Sequence, residues 1–328
     1  MSHPNPPTDE SMPAPGNLAM GQMGMWLFLG TEVMFFAALL ATFLILRNSV
    51  AGADGAGWPN AAQVHLNPWI GLFNTSLLLL SSVLVSLAVQ NLAAGNSQRA
   101  TRSLFAAIAL GVCFLGVKGY EYYGKFHHQL LPGRIGEVFA EGSTIARRYD
   151  EGPGLGWLDL LKPQLEQLAG KEYKLLTAKE KPATPEASAQ LLDSITSDPG
   201  KNLAYGIFTA LDKGTGSASM AARMVFQTSE SIRASNQTAK AENRPLQAEL
   251  PIQPALPHGN LWASCYFFIT GLHGIHLVAG LMALAIPAFA GLIGRLGPSQ
   301  YGYLANTALY WHFVDLVWII IFPLLYLV

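Results

Sequence analysis

Seven ionisable side chains stand where the sequence offers them no water: Glu32, Lys118, Glu121, His273, His276, His312 and Asp315. Each lies in or at the end of a run of apolar residues. An ionisable group in hydrocarbon costs about 2.5–3.5 kcal/mol on insertion scales, so each needs a partner or a task. Six of them pair at i, i+3 spacing (Lys118 with Glu121, His273 with His276, His312 with Asp315), which on a helix puts both members on one face. The chemistry open to such groups is proton holding, hydrogen bonding between helices, or contact with lipid headgroups. Glu32 lies well inside Trp26-Leu-Phe-Leu-Gly-Thr-Glu-Val-Met-Phe-Phe and cannot reach the interface as a lysine would, so it must be neutral or paired. His273 and His276 are too few for a metal site, and no matching His/Glu motif occurs on another apolar run. They are expected to hydrogen-bond to buried carboxylates, with Gly271, Gly274 and Gly280 allowing close helix approach. Lys118 and Glu121 can pair or reach headgroups, and His312 and Asp315 can share a proton or bond a neighbouring helix. No residue offers itself as a catalytic nucleophile on facing spans.

The elements that must position these groups follow from the composition. The chain is 51% hydrophobic and only 12% charged over 328 residues, which argues against an ordinary soluble protein. Five runs are long enough to cross a bilayer core as helices: roughly 24–46, 69–93, 103–126, 261–292 and 303–328. The leader 1–23 has no Lys or Arg, and the first run is too long for a signal-peptide core. Charges concentrate between the third and fourth runs. The expectation is an all-α polytopic membrane protein of five transmembrane helices with one extramembrane insert: 1–126 as tail and helices 1–3, 127–258 as the insert, 259–328 as helices 4–5. Lys+Arg (20) and Asp+Glu (21) nearly cancel, so no bulk field points to nucleic acid. Cys113 and Cys265 lie in apolar runs, which excludes a disulfide scaffold. Short-loop bases favour an inside N-terminus, with Arg99, Arg102 and Arg295 against Arg47. The insert and C-terminus then lie outside. Trp26, Trp69, Tyr122, Tyr123, Trp262, Tyr301 and Tyr303 fit interfacial belts.

The insert reads as mainly helical. Leu158, Leu161, Leu165 and Leu168 recur at near-helical spacing in 155–181. Pro182 and Pro185 interrupt, Pro185 opens a second helix, and 217–241 is a third candidate. Residues 244–257 carry four prolines and read as an extended strap. No cysteine or phosphate-loop pattern marks a cofactor site. A docking or spacer domain is the reading.

Taken together the motifs are similar to a known family. The segment Gly24-Met-Trp-Leu-Phe-Leu-Gly-Thr-Glu-Val-Met-Phe-Phe resembles the opening of the third transmembrane helix of subunit III of haem–copper cytochrome c oxidases. Tyr120-Glu-Tyr122 resembles its Glu-Tyr signature. Thr270-Gly-Leu-His-Gly-Ile-His and Tyr310-Trp-His-Phe-Val-Asp-Leu-Val-Trp318 resemble its two C-terminal signatures. The resemblance implies a non-redox accessory subunit that stabilises the catalytic subunit and supports proton uptake in aerobic respiration. Its complex would be a proton-translocating cytochrome c oxidase, while this chain is itself non-catalytic. It implies no cofactor in this chain, haem and copper in partner subunits, contact with subunits I and II, and phospholipid in a cleft between helices. It matches Glu32 to the family's carbodiimide-reactive carboxylate and makes Glu32, Glu121, His273, His276, His312 and Asp315 the proton- or lipid-associated set. It further implies a bacterial inner membrane, with a cytoplasmic N-terminus and a periplasmic insert and C-terminus. The fuller family form has seven helices, and this chain looks like the five-helix bacterial type. Relatives have a short loop where the insert stands, and its position suggests contact with a cytochrome c domain or another respiratory complex.

Other readings are a proton-coupled transporter using the same ionisable groups, or the corresponding component of a quinol oxidase or nitric oxide reductase. Five spans cannot form an inverted repeat of equal parts, which weighs against the transporter.

Overall fold

A computed structural model describes residues 15–50, 57–139, 143–177 and 185–327. Among them ten α-helices follow in order: α1 Pro15–Val50, α2 Pro68–Ala93, α3 Ser97–His127, α4 Thr144–Asp150, α5 Pro153–Thr177, α6 Pro185–Thr196, α7 Pro199–Asp212, α8 Ala218–Ala241, α9 Gly259–Leu292 and α10 Tyr301–Tyr326. Two short strands, β1 Gly136–Glu137 and β2 Ala255–Leu256, pair in parallel. The chain is an all-α polytopic membrane protein: α1, α2, α3, α9 and α10 are long and apolar enough to span a bilayer, and they coincide with the five apolar runs. The helices overrun those runs because apolarity marks only the membrane-buried part of a helix. α3 starts at Ser97, just after Gly95 turns the chain at φ 77°, a conformation that favours glycine. The polar leader before Pro15 and the break at Pro182 lie outside the described residues.

The chain divides into two compact units, one from Met1–Ile45, His65–Tyr123 and Tyr266–Val328, the other from Leu46–Val64 and Gly124–Cys265. The insert 127–258 therefore shares its unit with the α1–α2 connection and the adjoining ends of α1, α3 and α9.

In the first unit α2 packs along α10, and the tryptophans of α10 are tied by hydrogen bonds. Trp311 Nε1 donates to Ser81 Oγ at 3.1 Å and Trp318 Nε1 donates to Thr75 Oγ1 at 3.1 Å. Ser81 donates onward to the Ala107 carbonyl of α3 at 3.2 Å. Gly111 lets α3 close on its neighbours: a Cβ there would stand 2.8 Å from Leu281 Cδ2 and 3.0 Å from Trp311 Cη2. α10 is the most enclosed of the five long helices and α1 the least. Along this unit's part of α1, Leu29, Phe36 and Phe43 form one buried line at seven-residue spacing, while Leu27, Val33, Met34 and Phe35 face outward. That narrow seam is a two-turn repeat, a coiled-coil-like contact.

In the second unit Trp157, Leu161 and Leu165 of α5, Leu203 and Ile207 of α7 and Val225 of α8 form the core. The sequence expectation of one helix through 155–181 needs correction. Gly170 adopts φ 60° and ψ −158°, which breaks the helix there, because that backbone region is open to glycine and closed to most other residues. α7 is an element the periodicity reading passed over; Asp198 caps it by accepting the N–H groups of Gly200 (2.8 Å) and Lys201 (3.1 Å) ahead of Pro199. The insert's two ends are fastened together through Asn260. Its Oδ1 accepts from Gly133 N (2.8 Å) and Ile135 N (3.2 Å), and its Nδ2 donates to Ile135 O (2.7 Å). Asn260 N in turn donates to Glu137 Oε1 at 2.8 Å. Glu137 is buried, and that burial holds its carboxyl above the usual carboxylate range despite these donors. Burial likewise pushes the Tyr149 phenol up to about 12. Trp262, expected in an interfacial belt, is instead buried in this unit: the Lys125 ammonium lies 5.5 Å over its ring and donates to the Val64 carbonyl.

Candidate functional site

The seam of α1 decides where Glu32 goes. Three residues after Leu29 and four before Phe36, its carboxylate borders the buried line and meets α9. Glu32 Oε2 lies 3.0 Å from His276 Nε2, and both side chains are about four-fifths enclosed, with exposures of 20% and 18%. His276 Nδ1 lies 2.8 Å from the Leu272 carbonyl. A carbonyl oxygen only accepts, so Nδ1 carries a hydrogen. Nε2 is then either bare, with Glu32 donating to it as the acid, or protonated and paired with the carboxylate. One proton is shared in both cases. Phe36 meets the imidazole edge-on at 5.2 Å, and Tyr310 donates its hydroxyl to the His276 carbonyl at 3.0 Å, which fixes the ring's surroundings.

The expectation that His273 and His276 hydrogen-bond to buried carboxylates is met by His276 with Glu32 and not by His273. His273 is buried against Trp318, at 5.1 Å between ring centroids, and against Phe114 at 6.1 Å. Neither of its nitrogens has a hydrogen-bond partner among the described residues. Sharing a helix face does not give the two rings one neighbour: His276 meets Glu32 of α1, while His273 meets Trp318 and Phe114.

Of the two expectations for Lys118 and Glu121, pairing is the one seen, and Lys118 faces the bundle interior. Its Nζ donates to Glu121 Oε1 at 3.2 Å, to Tyr266 OH at 3.3 Å and to Tyr326 OH at 2.9 Å. The ammonium also lies 5.1 Å over the Trp318 ring. Glu121 accepts from both tyrosines as well, so a cation, an anion and two phenols from α3, α9 and α10 close on one another. Such mutual satisfaction is the condition on which charges persist inside a membrane. Next to it Tyr122 and Thr270 share a hydrogen bond of 2.6 Å.

His312 bonds α2 rather than Asp315: Ser82 Oγ is within hydrogen-bond distance of Nδ1, and Ser86 Oγ lies 3.1 Å from Nε2. Asp315, one turn along α10, is buried beside Ser82, and neither of its oxygens has a hydrogen-bond partner among the described residues. Sequence reasoning passed over Tyr266, Tyr326, Ser82 and Ser86. The i, i+4 serines on an otherwise apolar run were a usable signal; the tyrosines, 148 and 208 positions from Lys118, were not.

Comparisons with known proteins bear on this arrangement. The family model described as cytochrome c oxidase subunit III matches residues 18–139 and 257–328, the five long helices without most of the insert. Over 100 residues, 30% of this chain, the sequence is 38% identical to cytochrome c oxidase subunit 3 of Drosophila melanogaster and 40% identical to that of Anopheles gambiae. It is 38% identical over 101 residues to that of Canis lupus. These matches span 38–39% of the relatives' own lengths. With four motifs on four helices and a family match on both sides of the insert, the chain belongs to the cytochrome c oxidase subunit III family.

Proposed function

We propose that the chain is a non-redox subunit of a haem–copper terminal oxidase, and that it supports proton uptake by holding a proton within the membrane at Glu32 and His276. The observation that carries this is the 3.0 Å contact between Glu32 Oε2 and His276 Nε2, with the imidazole locked by Leu272. A carboxyl and an imidazole sharing one proton can give it up and regain it with little rearrangement. In this reading haem and copper reside in partner subunits I and II, and this chain steadies the catalytic subunit. The exposed apolar face of α1, with Leu27, Met34 and Ile45, takes phospholipid or a partner helix. The short-loop arginines support a cytoplasmic N-terminus and a periplasmic insert in a bacterial plasma membrane. The electron donor, cytochrome c or quinol, is chosen by other subunits.

The test is Glu32→Gln in the assembled oxidase. Gln keeps the size and can donate to Nε2, but it cannot pass on a proton. Assembly and initial oxygen consumption should be near wild type, with earlier inactivation over many turnovers or fewer protons released from vesicles. A hydrophobic carbodiimide should label wild type at Glu32 and not the variant. Inactivation and proton yield identical to wild type would reduce Glu32 to a packing residue and defeat the proposal.

A further inference from the structure

A second line of proton-bearing groups runs between α2 and α10, apart from Glu32 and His276. Asp315 is 3% exposed and neither of its oxygens has a hydrogen-bond partner among the described residues, an expensive state for a carboxyl inside a bundle. The hydroxyl beside it belongs to Ser82, which is bonded to His312 Nδ1; His312 Nε2 is bonded to Ser86 at 3.1 Å. Ser86 is half-buried, and Gln90, one turn on, is exposed near the end of α2. Trp318 with Thr75 and Trp311 with Ser81 hold the two helices in register around this line.

We propose that Asp315, Ser82, His312 and Ser86 form a proton relay that exchanges the Asp315 proton with the membrane side carrying the α2–α3 turn. With Asp315 protonated, its O–H points at Ser82 Oγ, Ser82 donates to His312 Nδ1, and His312 Nε2–H donates to Ser86 Oγ. When the proton leaves, Asp315 gives its hydrogen to Ser82 and Ser82 gives its own to Nδ1. Nε2 passes its hydrogen to Ser86, which releases one to water. Ser82, the His312 ring and Ser86 each lose one hydrogen and gain one, the ring gaining at Nδ1 and losing at Nε2; Asp315 ends as the carboxylate and the water gains the proton. The neutral imidazole is regenerated as its other tautomer.

The test is infrared spectroscopy of the intact oxidase complex, following a buried carboxylic C=O band as solvent is changed to D2O. Asp315→Asn should remove one such band, which assigns it. Ser82→Ala and Ser86→Ala, two independent breaks in the line, should each slow that band's shift on deuteration by about tenfold or more, equivalent to about 1.4 kcal/mol of barrier. Ser82→Thr, which restores a hydroxyl, should return the rate. Ser81→Ala, a neighbour outside the line, should leave it unchanged. A band unaffected by Asp315→Asn, or deuteration equally fast in wild type and both serine variants, overturns the relay. Because the readout is the Asp315 band alone, it should be the same in a Glu32→Gln background, so the relay and the Glu32 proposal fail separately.

Discussion

The hydroxyl of Tyr326, in the last turn of α10, donates to Glu121 and lies 2.7 Å from Oε1 and 2.6 Å from Oε2. The same oxygen accepts from Lys118 at 2.9 Å. A single phenol from the far end of the chain therefore bridges both members of an ion pair on α3. The cluster depends on three helices arriving together.

Breaking that pair on one side should be worse than removing it. Lys118→Met takes the ammonium away from the buried Glu121 carboxylate, and one-sided losses of this kind cost about 3–5 kcal/mol. Lys118→Met with Glu121→Gln keeps neutral hydrogen-bonding groups and should recover a large part of that loss. Thermal unfolding of the purified complex, run as a double-mutant cycle, checks it; additive losses would mean the pair is not coupled.

The contact of Glu32 with His276 predicts a rescue. His276→Ala removes the carboxyl's partner and should cost about 1–3 kcal/mol. Adding Glu32→Leu replaces the stranded carboxyl with an apolar side chain beside Phe36 and should restore stability without restoring sustained turnover. Stability and turnover measured on the same preparations separate packing from proton handling.

Close helix approach at Gly111 makes a steric prediction. A methyl there meets Leu281 at 2.8 Å and Trp311 at 3.0 Å, so Gly111→Ala should destabilise by about 1–3 kcal/mol, the usual range for overpacking. Gly30→Ala on α1, where nothing among the described residues lies within 4 Å, should be neutral or slightly stabilising by helix propensity. Melting temperatures of the two variants beside wild type decide it.

Glu137 gives the insert's unit a pH dependence. Its carboxyl is raised in the fold by burial, so the folded state binds a proton more tightly than the unfolded chain. The stabilisation is complete below the ordinary carboxylate range and is lost as pH rises from there through the folded value. Glu137→Gln keeps an oxygen to accept the Asn260 N–H and cannot ionise. Hydrogen exchange of the amides at 133–137 in the full-length protein should become less dependent on pH in this range than in wild type. An unchanged pH dependence would show that burial does not govern this group.

The existence and order of the five long helices and of a polar insert are written locally, in runs of apolar residues and in where the charges stop. α1 shows where this stops: its run is apolar on every side, so the seam of Leu29, Phe36 and Phe43 beside Glu32 emerged only in the fold. The break in α5 was also marked, by Gly170, but a glycine at helical spacing does not announce a positive φ, so only the folded backbone revealed it. The motif-bearing residues identified the family because their order along the chain survives without coordinates.

Partner choice was decided by tertiary structure. The i, i+3 pairs state which side chains share a helix face, and nothing in that spacing says what the facing helix brings. His276 found Glu32 from 244 positions away, while His273, one turn back, met Trp318 and Phe114 instead. Lys118 turned inward because Tyr266 and Tyr326 supplied oxygens there, and His312 took two serines of α2 in preference to Asp315 on its own helix. Desolvation makes every buried polar group require a partner, and that requirement is legible in sequence. The identity of the partner depends on helix rotation and register, which distant small residues such as Gly111 and Gly280 set by how closely they let α3 and α9 approach the tryptophans of α10.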